Sequence, residues 1–284
     1  MQIIKHLLLT FALSFTGATS LAADERSGGI VSIGGSLTEI IYALGEEGRL
    51  IARDTTSTFP EIAKKLPNVG YIRALSPEGV LSVDPKMVIA LEGAGPPEAV
   101  SVLKSADVPF ISIPEVYSRA GIIGKILAVG EALDAADAAK QLAKKVDADL
   151  AQAEEKSSKV TSKKSVMFVL SLRGGKVLAA GGNTSTDAII RMAGGVNAVT
   201  GYSGYKPLTD EAVITAAPDV ILMMDRRKGH AADNSKLKAH ATLGATPAVV
   251  NSKVIRMNGL YLLGFGPRTA DAIRELSDKL YSTN

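Results

Sequence analysis

The sequence predicts an α/β protein with two Rossmann-like lobes, mostly parallel sheets and one long α-helix that joins the lobes. Three observations lead to this prediction. Short apolar runs alternate with helical patterns in both halves of the 284-residue chain. One segment of the first half recurs in the second half, and the stretch between them has the periodicity of an amphipathic helix. A ligand cleft is expected between the two lobes.

Residues 1–22 are predicted to be a cleavable signal peptide. Lys5 and His6 precede a short apolar stretch, and small residues then lead to Ala22. That stretch is too short to span a bilayer, and the alternative is a buried N-terminal helix. Because the chain contains no Cys, a lipid anchor on an N-terminal Cys is excluded. We therefore expect export to the periplasm without a lipid anchor.

The composition excludes several classes of protein. With 32 Lys and Arg against 29 Asp and Glu, the formal net charge is only +3, unlike that of a nucleic-acid binder. Three His and no Cys argue against a multi-histidine or thiolate metal site. Gly34–Gly35 and the glycines around Gly93 resemble nucleotide-binding loops, but neither segment completes such a motif. We predict that the protein is not an enzyme, and a nucleotide-dependent enzyme is the remote alternative.

The first lobe, predicted over residues 23–130, begins with a strand followed by a helix. Ser36, with Glu39 three residues later, predicts a capping box at the start of that helix, which should end at Gly45. Continuous apolar runs predict strands buried on both faces of a parallel sheet. These strands are predicted at 30–33, 50–52, 87–91 and 108–113.

The connecting helix is predicted over residues 131–160, within the proline-free stretch 119–159 where Ala, Lys, Asp and Glu dominate. Apolar residues there step by three and four, which indicates an amphipathic helix of unusual length. The second lobe is predicted over residues 161–284, with strands at 166–170 and 220–224.

An internal repeat indicates that the two lobes are related. Residues 75–90 align with residues 208–223 without a gap, at a constant offset of 133. Leu, Glu, Val and Pro are identical at four positions, and Glu78 thereby corresponds to Glu211. Each copy has the pattern of a cap, a short helix, a proline turn and an apolar strand.

Three further segments make the chain similar to a known family: 70–79, 183–198, and 246–248 followed by 257–268. Together with the export signal, the two lobes and the single connecting helix, they resemble the substrate-binding proteins of bacterial ABC importers, and best those that bind haem. The resemblance implies ferric haem b as the transported ligand and an inner-membrane permease with its ATPase as the partner. It also implies a monomer. Cobalamin and ferric siderophores, which related proteins carry, are the alternative ligands.

Tyr71 and Arg73 are the central candidates for the ligand site. The resemblance implies that Tyr71 is the axial ligand of the haem iron. A phenolate suits ferric iron, but the ordinary phenol pKa of about 10 requires that the site favour the anion. If the segment is extended, Arg73 lies on the same face as Tyr71 and its cation can do so. The residue chemistry alone favours a different interpretation, in which Tyr71 packs at the cleft edge and Arg73 is solvated.

Further arginines are candidates for contacts with haem. The resemblance places a His of some relatives near the strand matching 168–175, but no His occurs there, so we expect five-coordinate iron. Arg173 in that stretch is then expected to face the porphyrin or a propionate. Arg226 and Arg227 follow a predicted strand, and the resemblance implies that one of them approaches the Tyr-ligated face of the haem. An exposed basic loop is the equal alternative for that pair.

Other second-lobe residues are weaker candidates. His230 and His240 lie in a polar, Lys-rich stretch and are predicted to be solvated surface residues. The methionines that end the strand at 220–224 are alternatively plain core. The residues that could line the second-lobe side of the cleft are Tyr202, Tyr205, Lys206, Met223 and Met224.

Glu78 and Glu211 are predicted docking residues. The resemblance implies that one Glu on the outer tip of each lobe binds arginines of the permease. Two equivalent carboxylates suit a two-fold symmetric membrane partner. A Glu in the first turn of a helix is also favoured by the helix dipole, and both explanations can hold together.

Overall fold

The computed structural model describes residues 29–225 and 234–282. The first lobe is built on a parallel four-stranded sheet of order β2-β1-β5-β6, and the four predicted strands are confirmed. A two-residue hairpin of β3 and β4 lies outside this sheet. The elements are β1 (Ile30–Ile33), α1 (Gly35–Ala43), β2 (Leu50–Arg53), β3 (Gly70–Tyr71), β4 (Ala74–Leu75), α2 (Pro77–Leu81), β5 (Met87–Leu91), α3 (Pro97–Lys104) and β6 (Phe110–Ile113).

The proline-free stretch 119–159 contains two helices rather than one continuous helix. Helix α4 (Arg119–Ala132) is followed by the 23-residue helix α5 (Ala136–Ser158). The break falls at Asp134, whose φ of 55° is left-handed and cannot continue a helix. Helix α5 lies within the predicted range of the connecting helix, and small apolar residues form its buried face.

The second lobe contains a mixed sheet of order β10-β8-β7-β11-β12, with β9 beside β7. Strands β7, β11 and β12 are parallel, whereas β8 and β10 are antiparallel to their neighbours. The strands are β7 (Ser165–Arg173), β8 (Lys176–Ala180), β9 (Val196–Asn197), β10 (Tyr205–Leu208), β11 (Val220–Asp225) and β12 (Val254–Asn258). The helices are α6 (Ser185–Met192), α7 (Asp210–Ala216), α8 (Asn234–Ala239), α9 (Pro247–Val250), α10 (Gly259–Leu263) and α11 (Thr269–Tyr281).

The internal repeat is present in the folded chain. The Ser76 hydroxyl accepts a hydrogen bond from the Gly79 N–H at the start of α2 (3.3 Å), and Thr209 does the same for Ala212 at the start of α7 (3.1 Å). Each copy then reaches a left-handed residue before its proline, with φ of 51° at Asp84 and 33° at Ala217. The strands that follow, β5 and β11, are both interior strands. The repeat prediction is therefore confirmed.

The predicted capping box at the start of α1 is wrong. The helix begins at Gly35, and Ser36 is a buried residue inside it. Its first N–H groups are bound instead by the loop after β2, where Asp54 Oδ1 accepts from Gly34 N (3.1 Å) and Thr56 Oγ1 accepts from Gly35 N (3.0 Å). Glu39 is turned away from the helix start and pairs with Arg268.

The C-terminal helix α11 returns to the connecting helix. Lys156 Nζ lies 2.7 Å from Asp278 Oδ1, and the Arg274 guanidinium donates to the Asp149 carbonyl (2.9 Å). Apolar residues of both lobes and of α5 and α11 form one continuous core, which runs from Ile30 to Leu280. Within the described ranges, no helix has both the length and the apolar character needed to cross a membrane.

Candidate ligand cleft

Tyr71 lies at the edge of the first lobe, near the carboxyl ends of its parallel strands. It is the last residue of β3, and its side chain is 46% exposed. The hairpin is fixed to the lobe by backbone bonds, from Thr55 N to the Gly70 carbonyl (2.7 Å) and from Gly95 N to the Ile72 carbonyl (2.8 Å). The carboxyl edge of a parallel sheet is where open α/β proteins bind ligands. Tyr71 therefore presents an accessible phenol at the edge where a ligand is expected.

Arg73 lies in the turn of the hairpin, so the chain is not extended from Tyr71 to Arg73. The two side chains therefore do not share one face of an extended segment, which was the condition for the predicted pairing. The turn arises because Tyr71 pairs with Ala74 across only two residues. Tyr71 and Arg73 are both exposed, and Ile72 between them is buried. The two candidate side chains are thus free to face solvent at the same hairpin tip.

Glu115 and Tyr117 follow β6, and the Arg73 cation acts to lower the pKa of each of them. Burial raises the pKa of the Tyr117 phenol, the Glu115 carboxylate raises it further, and the Arg73 cation opposes both. The Tyr117 ring packs edge-on against Phe265, with 5.2 Å between ring centroids. Tyr117 therefore keeps its proton at neutral pH, and its hydroxyl can donate a hydrogen bond.

Tyr205 of the second lobe comes close to Tyr117 of the first. Its phenol contributes to the raised pKa of Tyr117, so the two hydroxyl groups share one environment. Tyr205 is 38% exposed, and its hydroxyl lies 3.0 Å from Thr186 Oγ1 at the start of α6. Its ring packs edge-on against Phe168. Tyr205 therefore lies where the two lobes face each other, which agrees with its predicted position in the cleft.

Tyr202 and Lys206 are two further candidates for the second-lobe side of the cleft. The Tyr202 hydroxyl donates to the carbonyls of Ala179 (3.0 Å) and Lys206 (3.2 Å), and this hydroxyl is thereby committed to the second lobe. The Lys206 ammonium lies over the Tyr202 ring at 5.3 Å, and the residue is exposed. Lys206 is the one of the two that can still turn towards a ligand.

The remaining second-lobe candidates have different outcomes. Met223 is only 4% exposed and belongs to the core, whereas Met224 is half-buried. His240 is also half-buried rather than solvated, and its Nε2 lies 3.0 Å from the Gly175 carbonyl. Arg173 ends β7, where its backbone pairs with Lys176. The predictions for Arg226, Arg227 and His230 concern residues outside the described ranges.

The sequence did not draw attention to Lys125, although its side chain is fully buried. Its Nζ lies 2.6 Å from Glu115 Oε1 and donates to Ser36 Oγ (3.3 Å) and the Phe265 carbonyl (3.0 Å). One sequence signal was available, because Lys125 is the only charged residue between Arg119 and Glu131. Its position within an apolar helix could have indicated a buried ion pair.

Gly34 and Gly35, which resembled part of a nucleotide-binding loop, have a packing explanation. Gly34 has a φ of +126°, a conformation that side chains rarely adopt. A Cβ on Gly35 would lie 2.5 Å from Leu260 Cδ1 and 2.7 Å from the Thr56 carbonyl oxygen. The glycine pair therefore allows the C-terminal segment of the second lobe to approach the first.

Glu78 and Glu211 lie in the first turns of α2 and α7, and both are exposed. The repeat gives them equivalent positions on the two lobes. Each helix start is capped by a hydroxyl group, so both carboxylates are carried on a fixed backbone.

These features define a two-lobed α/β binding protein with a cleft between its lobes. A family model described as periplasmic binding protein matches residues 30–259, and the chain belongs to this family. The predicted fold class and the resemblance to substrate-binding proteins of ABC importers are confirmed. Members of this class bind and deliver substrates and are not enzymes, and they act in the periplasm.

Two solved structures are closely similar. The periplasmic haem-binding protein BhuT, in complex with two haems, is 40% identical, with a TM-score of 0.83 over 88% of this chain and 97% of its own. The periplasmic haem-binding protein RhuT from Roseiflexus sp. RS-1, in its apo form, is 38% identical, with a TM-score of 0.85 over 90% of this chain and 98% of its own.

A curated relative binds a different ligand. The vitamin B12-binding protein of Vibrio campbellii is 26% identical over 272 residues, which cover 95% of each chain. The family and the fold therefore accommodate more than one large metal-containing ligand.

Proposed function

We propose that this protein binds ferric haem in the cleft between its lobes and delivers it to the permease of an ABC importer. The observation that carries the proposal is the exposed Tyr71 phenol at the carboxyl edge of the first sheet. A phenolate is an established protein ligand of haem iron. The similarity to two haem-binding proteins of known structure supports the same ligand.

Tyr71 is the proposed axial ligand, and the iron is five-coordinate. Arg73, exposed on the same hairpin, supplies the positive charge that favours the phenolate over the phenol. Tyr117 is proposed to donate a hydrogen bond to the ligand, and Tyr205, whose hydroxyl is bonded to Thr186 Oγ1, is proposed to line the cleft beside it. Arg173 and one of Arg226 and Arg227 are proposed to contact the porphyrin or its propionates.

The test is a titration with ferric haem followed by absorbance. We expect wild type to develop a Soret band with a high-spin charge-transfer feature. Tyr71→Phe is expected to lose that feature and to bind haem more than about 100-fold more weakly, since even changes around a metal ligand lower affinity by roughly 10- to 100-fold. Tyr42→Phe is the matched control, because Tyr42 lies at the other end of α1, away from the carboxyl edge of the sheet.

Cobalamin binding is the second candidate, and it rests on the Vibrio relative. A parallel titration with cyanocobalamin separates the two ligands. Tight cobalamin binding with no haem Soret change would overturn the haem proposal. So would a spectrum of Tyr71→Phe that is indistinguishable from that of wild type.

The delivery step is proposed to use Glu78 and Glu211, whose exposed carboxylates would bind basic residues of the permease. The double substitution Glu78→Ala, Glu211→Ala is expected to leave the haem spectrum unchanged. It should reduce transport into vesicles by about tenfold or more, because the loss of interface charge pairs weakens binding by that amount. The control is Glu131→Ala, Glu155→Ala, which removes two exposed carboxylates from the helices α4 and α5. Equal transport by both double variants would contradict the docking role.

The proposal also covers the processing of the chain, its division into lobes and its oligomeric state. A signal peptide of residues 1–22 is removed on export, and no lipid is attached, because the chain has no Cys. The lobes comprise residues 23–130 and 161–284, joined by the segment 131–160. The protein acts as a monomer, with the ATPase bound to the permease on the opposite side of the membrane.

A further inference from the structure

A hydrogen bond between two side chains fixes the phenol of Tyr205 on the second lobe. The Tyr205 hydroxyl lies 3.0 Å from Thr186 Oγ1, and the ring packs edge-on against Phe168 with 6.4 Å between the ring centroids. Tyr205 is nevertheless 38% exposed. The phenol is therefore held at two points and is still accessible to a ligand.

Tyr205 lies on the face of the second sheet that is turned towards the first lobe. It pairs with Ala180 across β10 and β8, so the two side chains are on the same face of the sheet. Ala180 and Phe168 belong to the core that continues into the first lobe, whereas Met167 and Val169 on the opposite face belong to a separate cluster. Tyr205 is thus on the side of the second lobe where the cleft lies.

The fold of α6 does not require the Thr186 hydroxyl. Thr186 is fully buried in the first turn of this helix. The helix start is capped without it, because Thr184 Oγ1 accepts from Asp187 N (3.0 Å) and donates to the Gly181 carbonyl (3.0 Å). A buried hydroxyl costs free energy unless it is hydrogen-bonded, and a Val has nearly the same shape without that cost. The bond to Tyr205 accounts for a Thr at this position.

The position of Thr186 in the helix indicates which hydroxyl donates. A Thr inside a helix commonly donates to the carbonyl four residues earlier. For Thr186 that residue is Gly182, which precedes the helix and whose carbonyl accepts from Gly204 N (3.0 Å). Tyr205 Oη is within hydrogen-bond distance and can accept the proton of Thr186. With Thr186 as the donor, the proton of the Tyr205 hydroxyl is left for another group.

We propose that Thr186 is a positioning residue, which donates to Tyr205 and thereby directs the Tyr205 O–H towards a carboxylate of the ligand. This inference rests on the proposed haem function and makes one haem propionate the acceptor. A hydrogen bond to a charged acceptor is stronger than one between neutral groups. A phenol that is already oriented also loses less freedom when the ligand binds. Thr186 itself does not touch the ligand.

The test compares ferric haem with ferric haem dimethyl ester, in which both propionates are neutral, by absorbance titration. Tyr205→Phe is expected to bind haem about tenfold more weakly than wild type, because it loses a hydrogen bond to a charged group. Thr186→Val is expected to bind haem about fivefold more weakly, since it loses a hydrogen bond between neutral groups. Both variants should bind the ester as tightly as wild type does.

Two other threonine substitutions are the matched controls. Thr186→Ser keeps the hydroxyl and should restore the wild-type affinity for haem. Thr246→Val removes another buried hydroxyl of the second lobe, which donates to the Leu243 carbonyl (2.6 Å), and should change the affinity for neither ligand. A purely structural role of Thr186 would weaken the binding of haem and of the ester alike, and that result would overturn the proposal.

A double-mutant cycle decides whether Thr186 acts through Tyr205. Thr186→Val should cause no further loss of haem affinity in a Tyr205→Phe background. A full fivefold loss in that background would overturn the positioning role. If Thr186→Val does not fold, Tyr205→Phe still decides the nature of the acceptor, because equal losses of affinity for haem and for the ester would exclude a carboxylate.

Failure of the proposed function is distinguishable from failure of this inference. The function fails if wild-type protein gives no Soret change with haem. The hydrogen bond is then tested in the ligand-free protein, where the Cζ NMR signal of Tyr205 should shift in Thr186→Val and keep its wild-type position in Thr186→Ser. Identical Cζ signals in wild type and Thr186→Val would overturn the inference.

Discussion

Tyr261 shows how strongly one side chain's surroundings control ionisation in this protein. Burial, with Glu275 and Asp271 nearby, raises its pKa to about 12, and the Arg268 cation opposes them. Tyr117 is shifted in the same direction, because it too is buried beside a carboxylate. Phenols in such places remain neutral donors. Tyr71 differs from both, because it is exposed on the hairpin of β3 and β4.

The shifted pKa of Tyr261 predicts a distinct phase in an alkaline titration. Because its folded-state pKa is raised, Tyr261 should ionise about two pH units above an ordinary phenol, near pH 12. The stability it contributes is complete below pH 10 and is lost as the pH rises towards 12. Absorbance at the tyrosinate band should show this late phase in wild type, and in Tyr261→Phe the amplitude near pH 12 should fall by the amount of one tyrosine. A wild-type titration that is complete near pH 10 would contradict the assignment.

At the residue scale, the sequence analysis identified the exposed candidate residues of the site but did not identify the buried ion pair of Lys125 and Glu115. Tyr71, Glu78 and Glu211 were recognisable from local motifs, because short segments carry them on exposed turns and helix starts. Lys125 and Glu115 were not, since the partners of Lys125 lie as far away as Phe265. Only the folded chain brings such distant segments together.

The two helix caps of the repeat are the clearest features at the scale of single elements. Ser76 and Thr209 each accept a hydrogen bond from the N–H of the third residue of a short helix, and each is followed by a buried Val, Val80 or Val213. Because the two capping hydrogen bonds have similar lengths at equivalent positions, we expect them to contribute similarly to the free energy of unfolding. The helices that carry the proposed docking residues are thus stabilised in the same way in both lobes.

Removal of either cap should destabilise its lobe to a similar extent. Ser76→Ala and Thr209→Ala are each expected to lower the free energy of unfolding by about 1 kcal/mol, the usual loss for an N-cap hydroxyl. Urea unfolding followed by circular dichroism measures the change. Ser101→Ala is the control, because Ser101 is an exposed residue within α3. A loss of stability for one cap variant alone would refute the equivalence of the two copies.

The four strands of the first sheet and the strands β7 and β11 were predictable from hydrophobic patterns, whereas several other elements were not, and two of these have a clear physical reason. The strand β10 contains Pro207 and exposed residues, so its sequence lacks the apolar run of a buried strand. It can form because it lies at the edge of the sheet, where a proline is tolerated. The start of α1 was predicted wrongly because its N–H groups are bound by Asp54 and Thr56, from another segment.

At the scale of the whole molecule, Arg268 connects the two lobes. Its guanidinium lies 3.5 Å from the Phe59 ring centroid in the first lobe and 5.2 Å from that of Tyr261 in the second. It also forms an ion pair with the buried Glu39 on α1 (2.8 Å). One side chain thus contacts a loop and a helix of the first lobe and an aromatic ring of the second.

Loss of the Arg268 side chain should loosen the arrangement of the lobes. Arg268→Ala leaves Glu39 buried without its cation and is expected to lower the free energy of unfolding by about 3 kcal/mol. Spin labels placed on the two lobes should report a broader distance distribution by pulsed electron resonance. Lys140→Ala, which removes an exposed ion pair within α5, serves as the control. Unchanged distances in Arg268→Ala would exclude a restraining role.

The bond from Lys125 to the Phe265 carbonyl also bears on how the first lobe completes its packing. The two residues are 140 positions apart in the sequence, so the ammonium group has this partner only after the segment around Phe265 has reached the first lobe. The first lobe produced without that segment would keep a buried cation that lacks this carbonyl, and we expect it to be less stable than in the full chain.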